Sequence, residues 1–236
     1  MGNLIKTVVI TGAGKGIGRE LSLVFLNAGW NVVAFSRTES DLDSLVEESR
    51  QLKGSIHTII GDATVSGDIK RLVSETTQHF GYADVLVNNA GVFKSIPFLE
   101  MTEDFFSDQS KANALSTFLV SQQFGLQMKT RKAGHIINII SVAAKRPFVG
   151  SVGYCSAKSA QDGLGKVMRE ELKPYNIRVT NVYPGAAFTN SWAGSGVDEN
   201  RLMKASDVAE TIFKVVNLDD NMVIEEIVLR PVAGDL

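Results

Sequence analysis

The opening βα unit constrains this chain more than any other stretch. Residues 4–11 form a short run centred on Val8, Val9 and Ile10, the composition of a strand buried on both faces. The run stops at glycine. Gly12, Gly14, Gly16 and Gly18 then alternate with other residues, and Leu21, Val24, Phe25 and Ala28 recur at helical spacing until Gly29 ends the pattern. Strand, glycine-rich turn and helix together make the unit that binds a dinucleotide. Glycines permit a tight turn and close backbone approach, and a pyrophosphate rests on the helix N-terminus, where unpaired N–H groups and the dipole favour anions. The glycine spacing differs from the common G-x-G-x-x-G, and a plain turn is the alternative reading.

The alternation continues. Residues 31–36 read as a second strand, 41–52 as a helix, 56–61 as a third strand and 65–80 as a helix, with Gly54 and Gly81 as breaks. Residues 84–88 make a fourth strand. Thr102 opens a long helix with Phe105, Phe106, Leu115, Phe118, Leu119 and Phe124 as its apolar set. After Gly134 come a fifth strand to Ser141, a helix to about residue 172, a sixth strand over 177–183, a helix capped by Ser206, and a last strand over 222–229. Alternating strands and helices indicate an α/β fold around a parallel sheet. At 236 residues, 44% of them hydrophobic, the chain is long enough for one sizeable core and short for two, so a single domain over 1–236 is expected. Residues 186–204 are polar and small with Phe188 and Trp192 embedded, which suits a lid over a crevice.

Composition excludes several classes of partner. A formal charge of -2 gives no electrostatic reason to expect nucleic acid or an anionic membrane. No apolar stretch approaches the roughly 20 residues that span a bilayer, and the N-terminus runs straight into a strand, so a cytoplasmic protein is expected. Cys155 is the only cysteine, which rules out an intrachain disulfide. His57, His79 and His135 are scattered without Cys or carboxylate at ligand spacing, so no metal site is expected.

Several residues stand where chemistry would need them. At the end of the second strand, where the adenosine ribose is sensed, stand Ser36, Arg37 and Thr38 instead of an acid. A guanidinium grips a 2′-phosphate, and Lys15 in the glycine turn adds charge nearby, so NADP(H) is preferred and NAD(H) is the alternative. Two solvated cations are the bland reading. Asp62, followed by Ala63, either contacts the adenine amino group or shapes the turn. Asn88 and Asn89 follow a buried strand and need backbone partners for their amides, while Ala90 and Gly91 leave room for a ribose. Asn113 sits mid-helix, a poor place for a side chain that competes for backbone bonds, unless it is merely exposed. Tyr154 and Lys158, four apart on one helix, share a face. An ammonium beside a phenol favours the phenolate, so Tyr154 would exchange a proton near neutral pH despite a free pKa of about 10. Ser141 would hold a carbonyl or alcohol oxygen against it. The trio alone occurs by chance in most chains.

Taken together, the chain resembles the short-chain dehydrogenase/reductase family over nearly its whole length. Thr11-Gly12-x-x-x-Gly16-Ile17-Gly18 resembles the family's glycine motif and accounts for the unusual spacing. Asn88-Asn89-Ala90-Gly91 resembles its NNAG motif. Tyr154-x-x-x-Lys158 matches its catalytic pair, with Ser141 thirteen residues upstream and Asn113 at the position of its fourth catalytic residue. Pro184-Gly185 with Thr189 resembles the segment that touches the nicotinamide carboxamide. The resemblance implies a doubly wound Rossmann-type domain with a seven-stranded parallel sheet in the order 3-2-1-4-5-6-7. It implies Tyr154 as general acid, Lys158 on the nicotinamide ribose and lowering the tyrosine pKa, Ser141 orienting the substrate oxygen, and Asn113 anchoring a water in a proton relay. It also implies a homodimer, with a homotetramer as the larger alternative. The C-terminal segment 225–236 lacks the Val-x-Gly-Gly ending of ketoacyl carrier-protein reductases and resembles shorter members closer to sepiapterin reductase. Lys129, Arg131 and Lys132 would dock an acidic acyl carrier, or simply form a solvated helix end that complements the dipole.

Three functions stay open on the sequence. The first is an NADPH-dependent reductase of a small ketone or aldehyde. The second is a regulator that binds NADPH as a ligand, and the third an NAD-dependent dehydrogenase working oxidatively. Phe93, Phe148, Phe188 and Trp192 indicate an apolar substrate pocket of modest size.

Overall fold

The computed structural model describes residues 5–189 and 196–234. Leu4 and Trp192 lie outside them, as does part of the expected lid. In chain order the elements are β1 (Thr7–Thr11), α1 (Gly16–Asn27), β2 (Asn31–Ser36), α2 (Glu39–Ser49), β3 (Ile56–Ile60), α3 (Ser66–Phe80) and β4 (Val85–Asn88). Then follow α4 (Glu103–Ser110), a π-helical turn (Lys111–Leu115), α5 (Ser116–Arg131), β5 (Gly134–Ile139), α6 (Val152–Leu172) and β6 (Ile177–Pro184). The chain continues through β7 (Ala187–Phe188), β8 (Met203–Lys204), α7 (Ala205–Val216) and β9 (Glu226–Leu229).

Seven strands form one parallel sheet in the order β3-β2-β1-β4-β5-β6-β9. This is the expected order, with β9 in seventh place because β7 and β8 pair only with each other. The apolar runs read as two-face burial behave so. Val8 and Ile10 of β1 pack with Val32, Val87, Leu21, Phe25 and Ile212 on one side, whereas Val9 packs with Val33, Leu86, Ile136, Leu72 and Phe124 on the other. With both faces covered by helices, the carboxyl ends of the central strands are left to form a crevice.

Some boundaries differ from those the sequence pattern predicts. Ser206 is not the cap of α7, since Lys204 holds that position and the helix starts at Ala205. The last strand begins at Glu226 instead of residue 222, because ladder pairing to β6 starts at Asn181 opposite Glu226. The long helix from Thr102 is capped as expected, with the threonine hydroxyl accepting from the Phe105 N–H, but it is interrupted by the π turn that holds Asn113.

Candidate active site

The glycine turn is built around contacts that a side chain would block. Gly12 and Gly16 have φ of +65° and +55°, a region that disfavours other residues. A Cβ at Gly18 would lie 2.3 Å from the Gly12 carbonyl oxygen and 2.4 Å from Asn89 Nδ2, so this glycine lets α1 close on the turn. Asn89 fastens the opposite wall, its Nδ2 donating to Thr11 O and Gly12 O at 3.0 Å each. Thr11 Oγ1 accepts from the Asn89 and Ala90 N–H groups, both at 3.1 Å, a latch that sequence reasoning did not single out. Asn88 points elsewhere, donating to Ser121 Oγ and to Asn138 Oδ1, and Asn138 in turn donates to Asn181 Oδ1. Asn89 thus finds the expected backbone partners, whereas Asn88 pairs through Nδ2 with side chains and its buried Oδ1 accepts no hydrogen bond. The N-cap residue of α1, Lys15, makes no side-chain cap, and the first turn carries no acid, so its N–H groups suit an anion.

A cavity of about 830 Å³ runs from this turn to the residues at the ends of β4, β5 and β6. Gly12, Lys15, Gly16, Ile17, Asn89, Ala90 and Gly91 line one end. Asn113, Ser141, Tyr154, Lys158, Pro184, Gly185 and Thr189 line the other. Asn113 is fully buried and not an exposed, tolerated residue: its Nδ2 donates to Val92 O and Gln109 O, and its Oδ1 accepts from the Val92 N–H. A Cβ at Gly91 would sit 2.7 Å from Asn113 Oδ1 and 3.4 Å from Lys158 Nζ, so the small residue keeps this corner open. The buried Lys158 ammonium donates to Ile139 O at 3.2 Å and to Gln161 Oε1 at 3.0 Å. Ser141 Oγ accepts from the Ala143 N–H at 3.1 Å.

Electrostatics depart from the expected pairing. Burial pushes the Tyr154 phenol up to about 12, against a hydrogen bond with Ser141 that favours ionisation and with a smaller upward push from Cys155. Burial also pulls Lys158 down to about 7. The ammonium lies 5.6 Å from the Tyr154 ring centroid, and desolvation by burial is the largest cause of the shift in each group. The expected lowering of the tyrosine is therefore reversed in the protein itself.

Ser36, Arg37, Asp62 and Ala63 fall outside the cavity lining. Ser36 stands behind the turn, 3.2 Å from where a Gly14 Cβ would be. Arg37 is 3.8 Å from Asp62, and Lys15 is 3.2 Å from Asp41, so each cation faces a carboxylate. Asp62 Oδ1 accepts from both the Thr64 N–H and its hydroxyl at 2.8 Å, the turn-shaping reading, and Ala63 is buried beside it. Phe93 and Phe148 line the cavity, with Phe93 edge-on to Tyr154 at 5.0 Å; Val92 and Val149 join them, whereas Phe188 is exposed and does not. Arg131 lies over Tyr82 and bonds to Asp84 and Ala83 O, and Lys129 lies over Tyr175. Both cations tie the end of α5 to neighbouring segments, Arg131 to the stretch before β4 and Lys129 to the turn before β6. The histidines are less scattered than their spacing implies: His57 Nε2 is 2.8 Å from Glu75 Oε2, and the His57 and His79 rings stack at 3.7 Å. No helix among the described residues is long and apolar enough to cross a membrane.

The family model described as short chain dehydrogenase matches residues 6–200. The chain belongs to that family. A sepiapterin reductase of Chlorobaculum tepidum is 36% identical over 97% of this short-chain dehydrogenase and 97% of its own length. An L-xylulose reductase of Mesocricetus auratus is 39% identical over 78% of this chain and 73% of its own. Among solved structures, a 7 alpha-hydroxysteroid dehydrogenase complexed with NADH and 7-oxo glycochenodeoxycholic acid superposes with a TM-score of 0.91 at 28% identity, covering 98% of this chain and 95% of that one. A metagenomic short-chain oxidoreductase in complex with NADP superposes at 0.83, also 28% identical, over 97% and 98% of the two chains. The family is one of oxidoreductases that use a nicotinamide cofactor.

Proposed function

We propose that the protein is an NADPH-dependent reductase of a small ketone or aldehyde, with Tyr154 as general acid. The observation that carries this is that one cavity is lined both by Tyr154 and Ser141 and by the glycine turn. The residues present fit a dinucleotide: Gly12 and Gly16 keep side chains out of the turn, α1 offers uncapped N–H groups, and Gly91 leaves an opening beside Lys158. The bound cofactor supplies the hydride. Gly12, Gly16 and Ile17 would hold its pyrophosphate, and Pro184, Gly185 and Thr189 its carboxamide end.

The chain's own groups do the rest. Ser141 holds the carbonyl oxygen and Tyr154 delivers its proton to it. A phenol with a pKa of about 12 stays protonated across the neutral range, so the acid form needed for reduction is always available. Lys158, in its charged form, binds the ribose, and Asn113 Oδ1 lies in the same corner to anchor a water that returns the proton. The preference for NADP(H) rests on Arg37, whose side chain is 65% exposed, and on Lys15: a 2′-phosphate would enter between two cations now facing Asp62 and Asp41. Phe93, Phe148, Val92 and Val149 shape an apolar mouth for the substrate. Exposed Phe106, Phe118, Leu126 and Val167 on α4, α5 and α6 support a homodimer through these helices within one domain-sized chain. A panel of carbonyl compounds with NADPH, followed at the nicotinamide absorbance band, tests the activity. Tight NADPH binding with no turnover across the panel would instead favour a regulator.

A further inference from the structure

Behind the cavity a buried amide reaches the group that the proposed function places on the ribose, and the inference rests on that reading. Gln161 is completely buried. Its Nε2 donates to Thr117 Oγ1 at 2.8 Å, and the Thr117 hydroxyl donates to Asn113 O at 3.0 Å. Its Oε1 accepts from Lys158 Nζ at 3.0 Å. The orientation of the amide is fixed from both ends. An ammonium has three donors and no acceptor, so only the carbonyl side can face Lys158, and the threonine hydroxyl, spent as a donor on Asn113 O, can only accept from Nε2. Two of the three Lys158 protons are thereby committed, to Gln161 and to Ile139 O, and one is left for a ligand at the opening made by Gly91.

We propose that Gln161 is a positioning residue that holds Lys158 in its charged form and aims its one uncommitted N–H at the cofactor ribose. No carboxylate lines the cavity among the described residues. From its own helix Lys158 faces Tyr154 and from β5 the Ile139 carbonyl, and Asn113 of the π turn lies across the Gly91 opening from it; Lys15, on the glycine turn, is the other charged residue lining the cavity among the described residues. The Gln161 carbonyl is thus a side-chain acceptor placed on this ammonium, where a hydrogen bond favours the charged form.

The experiment measures NADPH affinity from about pH 6 to 9 by nicotinamide fluorescence for wild type, Gln161→Met and Gln161→Glu, with carbonyl reduction rates alongside. NADH serves as a control, since the 2′-phosphate itself titrates near pH 6. Affinity should fall as pH rises through the ionisation of Lys158. Loss of a hydrogen bond to a charged group should move that midpoint down by about one to two pH units in Gln161→Met, and a carboxylate should move it up in Gln161→Glu. A purely structural role would weaken binding at every pH and leave the midpoint in place. Coincident midpoints in three proteins with native near-UV circular dichroism would overturn the proposal. Wild type that binds NADPH yet reduces nothing would sink the reductase reading while the binding midpoints still decide the role of Gln161.

A second, independent observation lies at the other end of β3, away from the cavity. His57, Glu75 and His79 present one ligand atom each, all within 4.8 Å of one another. Glu75 and His79 are four apart on α3 and share a face, and His57 reaches them from the edge strand. Arg71 Nη1 lies 3.5 Å from Glu75 Oε1, which steadies one carboxylate oxygen and leaves Oε2 beside the imidazoles. We infer that these three residues bind a borderline divalent cation such as zinc, for which imidazole and carboxylate are apt ligands, and so clamp α3 to the sheet edge.

Calorimetric titration of chelator-treated protein with zinc chloride at about pH 7.5, and with magnesium chloride as control, tests this. One saturable zinc site is expected, absent in His79→Asn and His57→Gln. At tenfold excess over the dissociation constant, zinc should raise Tm by about 3–5 °C in wild type alone. No saturable binding, or binding that both variants retain, would refute it.

Discussion

Lys158 makes the pH dependence of stability a direct test of how the site is built. Its folded-state pKa is about 7 against an ordinary 10.5, because burial removes the ammonium from water. At about 1.4 kcal/mol per pH unit that difference amounts to about 5 kcal/mol. The sign follows from proton counting. Between the two values the unfolded chain holds a proton that the folded chain lacks, so stability from this group is complete above about pH 10.5 and is lost as pH falls toward 7. From about pH 7.5 to 9.5 wild type should therefore gain about 2 to 3 kcal/mol, or about 4–10 °C in Tm. His135, pulled down to about 3 by burial and by Arg178, and Tyr154, pushed up to about 12, titrate outside this window. Lys158→Met keeps the aliphatic stem and deletes the charge, so its denaturation curves should lack the gain. The variant also leaves Ile139 O and Gln161 Oε1 unpaired, at about 1–3 kcal/mol each, so the slope with pH is diagnostic and the absolute stability is not. Urea denaturation at several pH values measures both. Parallel curves for the two proteins would refute the claim that this ammonium is desolvated.

Arg37→Asp should weaken NADPH binding by about 2 kcal/mol and NADH binding much less, by removing a phosphate partner and adding a like charge; equal losses in parallel titrations would return Arg37 to the status of a solvated cation. Gly18→Ala forces a methyl group against the Gly12 carbonyl and Asn89, so it should cost about 1–3 kcal/mol in denaturation experiments and lower affinity for either cofactor, whereas an unchanged protein would mean that the turn adapts freely. Light scattering at micromolar concentration should report at least a dimer, and a monomer would leave the apolar residues of α4, α5 and α6 without the second copy assigned to them.

Much of the fold was legible because its strands are buried on both faces. Val8-Val9-Ile10 reads as a core strand whichever side is considered, and its neighbours in the sheet follow the same rule. The site motifs were legible for a related reason: glycines at Gly12, Gly16 and Gly18 and the amides of Asn88 and Asn89 are placed by local geometry that tolerates few other residues. What escaped depends on distance in sequence. Gln161 looks like any helical glutamine until the fold sets Thr117 on one side of it and Lys158 on the other. His57 meets Glu75 and His79 only because α3 runs back along the edge strand. The π turn at Asn113 has no periodic signature, and the two-residue strands β7 and β8 are too short to have one. The tyrosine pKa is shifted upward, against the expectation, because of the burial that dominates it and that the sequence hides.

The most direct test of the central claim is the rate of NADPH-dependent carbonyl reduction by Tyr154→Phe. The substitution removes one oxygen and keeps the ring against Phe93, so fold and NADPH affinity should stay near wild type. Proton delivery is lost, and turnover should fall by about 10² to 10⁴. A Tyr154→Phe protein that reduces the same carbonyl at the wild-type rate would contradict the account.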